Sequence, residues 1–349
     1  MNPFVLVFLL SSLGLGTTLT FMSSHWLLAW MGLEINTIAI IPLMAQHHHP
    51  RAVEATTKYF LTQATAAATI LFATTTNAWL MGEWDILQLS HPLTATTTML
   101  ALALKIGLAP LHFWLPEVLQ GLDLTTGLIL STWQKLGPFT LILQVAPAVD
   151  PTLLILIGLL STLIGGWGGL NQIQLRKILA YSSIAHLGWM ILIIQFAPHL
   201  ALLSLMLYLV MTSATFLSFK MNTATNINSL ALSWTKTPTL AILTALVLLS
   251  LGGLPPLTGF LPKWLILQEL TKQGLPLIAT FCRLTALFCL YFYLRLCYAM
   301  ALTMAPTTLT TISPWRLSLP QTTFPLSMTT LGTLALLPLT PAMVALLIH

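Results

Sequence analysis

The chain has 349 residues, 56% of them apolar and 6% charged, with a formal net charge of +5. Soluble domains carry about 25% charged residues, so this sequence has too few to cover a water-exposed surface, and a soluble enzyme or binding domain is excluded. The positive excess is spread thinly between apolar stretches, which makes it a topological signal and excludes a nucleic-acid-binding surface.

A bilayer core of about 30 Å takes roughly 20 apolar residues per helix. Windows of that length recur in chain order at 3–23, 25–45, 56–80, 95–116, 125–145, 151–171, 177–196, 199–220, 238–270 with a break, 276–300 and 325–347. They are too long for barrel strands, which need about 9–11 alternating residues. The expectation is an all-α polytopic membrane protein of about eleven transmembrane helices. The first window lacks a basic leader and a small-residue cleavage pattern, so it reads as the first span and not as a removable signal. Residues 301–324 are a Thr- and Pro-rich connection to the last span.

Loops assigned alternately to two sides divide the charges unequally. The side of the N-terminus receives Arg51, Lys58, Arg176, Lys177, Lys220, Lys236, Arg295 and Arg316, and the other side Lys272 with Glu83, Asp85 and Asp150. The positive-inside rule then places the N-terminus inside and, after eleven spans, the C-terminus outside.

Two segments repeat. IGLAPLHFWLPE at 106–117 and GGLPPLTGFLPK at 252–263 align without gaps at an offset of 146, with glycines and prolines in register. They fall in the fourth and ninth spans, an odd number apart, which predicts inverted-topology repeats over 1–146 and 151–300. Each repeat carries one broken helix whose freed backbone lines a hydrated cavity. Residues 301–349 follow as a connection and final helix within one membrane domain.

Ionisable side chains at mid-depth are costly and mark function by default. Glu34 and Lys135 each lie about ten residues into their spans, about 15 Å deep at 1.5 Å per residue. Lys105 and His112 flank the first break, Lys263 follows the second, and His186 is near the middle of the seventh span. The set suits proton transfer: burial destabilises a charged lysine and a nearby carboxylate restores it. Glu34 is the modulating carboxylate, Lys105 its expected partner, and the two histidines are relay candidates. Arg283 and Glu269, nearer span ends, each read as a structural residue held in a buried ion pair that fixes packing, and Glu117 and Asp123, which flank a loop, as solvated.

Three other features read as structural. His47, His48 and His49 are consecutive and lack a second ligand group, so they do not make a metal site. Cys282, Cys289 and Cys297 lie in one span without CxxC spacing and suit packing. GGWGG at 165–169 ends a span and suits close helix contact.

ALKIGLAPLHFWLPEVLQGLDLTTGLILSTWQKLGPF at 103–139, RKILAYSSIAHLGW at 176–189 and LSLGGLPPLTGFLPKW at 249–264 resemble, in order and spacing, the antiporter-like subunits of proton-pumping respiratory complex I. Members typically have fourteen helices, and this chain looks shortened by three at its start, as animal mitochondrial versions are.

The resemblance implies a mitochondrial inner-membrane location, and partnership with neighbouring antiporter-like and other membrane subunits and with lipids. NADH, FMN, iron–sulfur clusters and ubiquinone would be handled elsewhere in the complex, with no cofactor in this chain. It matches Glu34 to a buried helix glutamate, Lys105 to the lysine of the first broken helix and Lys135 to a connecting lysine. His186 matches a polar position on the central axis, and Lys263 the terminal lysine of the second broken helix. Two other readings stay open: a stand-alone cation/proton antiporter, which would favour more mid-membrane carboxylates than Glu34 alone, and a structural subunit with no proton path.

Overall fold

The computed structural model describes residues 3–46, 49–302, 323–342 and 345. Its helices are α1 (Pro3–Met22), α2 (Trp26–Met44), α3 (Pro50–Met81), α4 (Pro92–Ile106), α5 (Trp114–Gly121), α6 (Leu124–Ser131), α7 (Trp133–Val145), α8 (Pro151–Gly169), α9 (Leu175–Ile193), α10 (Pro198–Met221), α11 (Ile227–Ala231), α12 (Ser233–Lys236), α13 (Pro238–Gly252), α14 (Phe260–Lys272), α15 (Pro276–Leu302) and α16 (Phe324–Ala335). Among the described residues there is no strand, only two isolated bridges, His25 with Asp85 and Gln174 with Asn226. Arg316, His47, His48 and most of the 301–324 connection lie outside the described residues, as does part of the last expected span.

Proline opens α3, α4, α8, α10, α13 and α15. At that position its fixed φ suits the helix and its missing N–H is one the helix would leave unbonded. Five helices, α1, α2, α8, α10 and α15, are long and apolar enough to cross a membrane. The many threonines in apolar helices satisfy their hydroxyls on carbonyls three or four residues back, as the exposed Thr65 does on Thr62 and Thr97 on Leu93. Such local bonding lets a polar side chain sit in lipid. Phe4, Phe8, Phe72, Trp79, Leu277 and Leu284 are exposed, as lipid-facing residues should be.

The chain forms two units, Met1–Ser161 and Thr162–His349. In the first, α1 and α2 cross at Gly16 and Gly32, where a Cβ on either would come within 2.8 Å of the other's carbonyl oxygen. Small residues let the two backbones meet, the usual basis of helix association in lipid. Trp133 Nε1 bonds Leu13 O and Gln134 Nε2 bonds Asn36 O, tying α7 to both. The sequence did not announce the interruption at Thr132, which splits the fifth span into α6 and α7. Pro138 lies six residues beyond and removes the donor that Gln134 O would have used.

In the second unit the GGWGG glycines, all within α8, are close-packing sites. A Cβ would meet Ala185 at Gly165, Phe288 at Gly166, Tyr181 at Gly168 and Phe292 at Gly169. Arg295 Nη1 bonds Leu170 O at 2.7 Å, fastening α15 to the end of α8. Cys282 and Cys289 are buried and unoxidised, and Cys297 is partly buried. One expectation fails here. Arg283 is exposed on α15, and Glu269 pairs with the exposed Lys272 at 3.5 Å, one turn along its own helix, so neither is held in a buried ion pair between helices.

The offset of 146 holds in local geometry. Helices α4 and α13 both have 15 residues, and both end at a left-handed glycine, Gly107 at φ 86° and Gly253 at φ 85°. After six intervening residues, α5 and α14 begin 146 apart, at Trp114 and Phe260. A side chain at either glycine would be strained, so glycine is required there. A second register, 149, relates α2 to α9, the bridge residue His25 to Gln174, and the close contact of Gly16 with Asn36 to that of Gly165 with Ala185.

Candidate functional site

A helix broken in a membrane leaves its last four carbonyls to be satisfied without water. In the first unit, neutral groups bond three of them at the end of α4. Ala103 O accepts from the Gly107 and Leu108 amides at 2.9 Å each, Leu104 O from Trp114 Nε1 at 3.0 Å, and Lys105 O from Gln63 Nε2 at 3.3 Å. The Lys105 side chain is therefore not needed as a cap. It is buried, at 6% exposure, and its Nζ has no hydrogen-bond partner among the described residues.

Lys105 lines a cavity of about 20 Å³ as swept by a water centre, room for one water or two. Lys135, Asn36, Thr37, Tyr59, Gln63 and Gln134 share its wall. Lys135, at 3% exposure, is placed there by α7, whose preceding residues are anchored to α1 and α2. Glu34 is one step removed: its Oε2 accepts from Thr37 Oγ1 at 2.9 Å, and its charge is felt at Lys105 and Tyr59. The expected partnership of Glu34 with Lys105 is thus electrostatic across the cavity and not a contact ion pair. His112 is buried within the break, its Nδ1 3.2 Å from Pro110 O, and is not a cavity-wall residue.

In the second unit the same problem is solved with a charge. Leu249 O accepts from Gly253 and Leu254, and Ser250 O from Gly253. The remaining two carbonyls, Leu251 and Gly252, accept from Lys263 Nζ at 3.3 and 2.8 Å. The negative end of the α13 dipole and its free carbonyls favour the ammonium. Lys263 is thus a helix cap at the break, whereas Lys105 is not. His186 packs against Tyr208 with ring centroids 5.7 Å apart. The residue at offset 149 from Glu34 is Ser183, so this unit has no carboxylate at that position.

Glu117 is solvent-exposed, as expected, and also binds Lys58 at 2.8 Å, which joins α5 to α3; Lys58 also binds Glu54 at 2.8 Å. His49 caps α3 by accepting from the Arg51 amide. Residue-by-residue reading also missed Tyr59 and Gln63. Their spacing of four, which puts both on one helix face, was the available signal.

The family model described as NADH:quinone oxidoreductase/Mrp antiporter, TM, matches residues 23–289, and that of the NADH dehydrogenase subunit 2 C-terminus matches 290–344. NADH-ubiquinone oxidoreductase chain 2 of Oncorhynchus mykiss is 76% identical, with 99% of each chain covered, and that of Salmo salar is 75% identical with the same coverage. A chain in the structure of respiratory complex I from Thermus thermophilus with bound aureothin superposes with a TM-score of 0.85 at 27% identity, over 99% of this chain and 80% of that one. The Mrp complex of a Dietzia species shares the fold, with a TM-score of 0.83 at 15% identity over 97% of this chain and 76% of that one. The chain belongs to the NADH:quinone oxidoreductase/Mrp antiporter family and, within it, to the NADH-ubiquinone oxidoreductase chain 2 proteins.

Proposed function

We propose that this chain is a membrane subunit of NADH:ubiquinone oxidoreductase that carries protons across the mitochondrial inner membrane, with its N-terminus in the matrix and its C-terminus toward the intermembrane space. The supporting observation is the small cavity, apolar and polar side chains mixed in its wall, that brings Lys105 and Lys135 together, with Glu34 acting on it through Thr37 and through space. Two lysines around room for a water, with one carboxylate behind Thr37, can hold, exchange and release a proton. The antiporter and purely structural readings gain nothing comparable: cation coordination calls for more carboxylates, and a structural charge calls for a contact partner at Lys105.

In this reading Glu34, Lys105 and Lys135 form one proton-handling group and Lys263 with His186 a second, with His112 a relay at the first break. The two groups belong to inverted repeats. The equivalent bridges at His25 and Gln174 follow one and six passes along the chain, an odd and an even count, which supports that topology. Redox chemistry takes place in other subunits, with which this chain assembles through its membrane helices, and no cofactor is assigned to this chain.

Moving one charge against 100 mV takes about 2.3 kcal/mol, while two charges 4 Å apart at an effective dielectric near 20 interact by about 4 kcal/mol. Pairing and unpairing a carboxylate with a lysine is therefore the right size to drive a proton across. The test replaces Lys105 by Met in the intact complex, sealed in vesicles, and counts protons moved per NADH oxidised. A lowered yield or a slowed, still-coupled turnover is expected. An assembled complex with unchanged turnover and unchanged proton yield would refute the role of this cavity.

A further inference from the structure

We propose that the hydroxyls of Tyr293 and Tyr208, with Ser182 and Ser183, form the proton relay between Lys263 and His186. The inference rests on the proton-carrying reading above and names the groups that would do the work in the second unit.

The geometry begins at Lys263. Its ammonium is bonded to Gly252 O at 2.8 Å, and a methyl group added to Gly252 would lie 3.7 Å from the Tyr293 ring. The end of α13 that holds the lysine is therefore also the surface against which Tyr293 packs. Cys289, one turn before Tyr293 on the same face of α15, is within electrostatic reach of both Lys263 and Tyr293.

Tyr293 is completely buried, and its hydroxyl has no hydrogen-bond partner among the described residues, although it is turned toward Ser182 on α9. An unbonded buried hydroxyl costs about 1–3 kcal/mol, a cost that packing alone would remove by substituting phenylalanine. The next residue, Phe292, is a phenylalanine, and its ring lies 4.5 Å from that of Tyr293.

Ser182 and its neighbour Ser183 are both 1% exposed, and each donates its proton backward, to Leu179 O and Ala180 O. Their oxygens are left to accept. The hydroxyl of Tyr208, also fully buried, is within hydrogen-bonding reach of Ser183. Tyr208 in turn lies against the His186 imidazole, with centroids 5.7 Å apart. Tyr293 with Ser182 and Tyr208 with Ser183 thus stand on three helices, α9, α10 and α15, between the lysine-bearing break and the histidine, and the two tyrosines are within electrostatic reach of each other.

A hydroxyl both donates and accepts, so a phenol can take a proton on oxygen while giving up its own. Lys263 loses a proton to the Tyr293 oxygen or to a water against it. Each hydroxyl passes its own proton onward, and the His186 imidazole takes up the last. The lysine ends neutral, the histidine charged, and every hydroxyl in between is restored once it reorients.

The test uses intact complex in sealed vesicles carrying Tyr293→Phe, Tyr208→Phe, Ser182→Ala or Lys263→Met. Removing one relay hydroxyl is expected to slow proton-coupled NADH oxidation on the order of tenfold, less than the 10²–10⁴ span of a direct acid–base group. It should also enlarge the solvent deuterium isotope effect, which a packing defect would leave alone. If Tyr293→Phe fails to assemble, Tyr208→Phe and Ser182→Ala decide the matter by the same readouts. Unchanged rate and isotope effect in the assembled tyrosine and serine variants, alongside an impaired Lys263→Met, would overturn the relay and keep the lysine. An unimpaired Lys263→Met would overturn the proton-carrying reading of this unit itself.

Discussion

Replacing Gly16 by Ala tests whether the crossing of α1 and α2 positions the first lysine site. The new Cβ would sit 2.8 Å from Gly32 O and 2.8 Å from Asn36 Cγ, and would also strike Asn36 Oδ1. Ordinary contact begins at 3.4 Å, so the two helices must part by about 0.6 Å. Gly32 O is backbone and cannot rotate away, and over-packing of this kind costs about 1–3 kcal/mol. Helix α2 carries Asn36 and Thr37 on the cavity wall, with Glu34 one turn before, so the shift reaches the site directly.

Gly14→Ala is the control, because nothing lies within 4 Å of its Cβ and the change in helix propensity is the same. The assay heats each assembled complex in mild detergent, follows loss of the native-gel band, and measures proton yield before heating. Gly16→Ala should lower the ratio of folded to unfolded complex by a factor of about 5–160 and lower proton movement, while Gly14→Ala does neither. Equal behaviour of the two would refute the crossing as the device that sets the position of α2.

Three further outcomes follow from the breaks. Gly253→Ala forces a side chain into φ 85° beside Lys263 Nζ, 2.9 Å from the new Cβ. Left-handed strain of about 1–2 kcal/mol and displacement of the ammonium should reduce both thermal stability and proton yield; unchanged values would mean that the cap at this break is not needed. Trp114→Phe removes the donor to Leu104 O, and an unbonded buried carbonyl should cost about 1–3 kcal/mol, seen as a lower thermal midpoint. Glu117→Gln removes one of the two exposed partners of Lys58. Its effect on assembly should be small and should fade with added salt, whereas a large salt-independent loss would show that the pair does more than tie α5 to α3.

Composition alone determined that this protein lives in lipid, because 6% charged residues cannot solvate a surface, and window length determined that its spans are helices. The two breaks were legible because glycine and proline act locally: φ near 85° at Gly107 and Gly253 is a property of those residues before any packing. The candidate ionisable residues were legible for a similar reason, since their cost in lipid depends on depth and not on neighbours.

What they touch was not legible. Lys105 precedes its Gly-Leu-x-Pro break and Lys263 follows its own, and nothing in either stretch of sequence tells that the first lines a cavity and the second caps a helix. The difference arises because Trp114 and Gln63 reach the free carbonyls of α4, while no comparable neutral donor is recorded on Leu251 O and Gly252 O of α13 among the described residues. The interruption at Thr132, the exposure of Arg283 and the polar wall from Tyr59 to Gln134 likewise depend on which helix faces meet. Periodicity within one apolar helix carries little of that information, since lipid-facing and core-facing residues are both apolar and only contact across the bundle separates them.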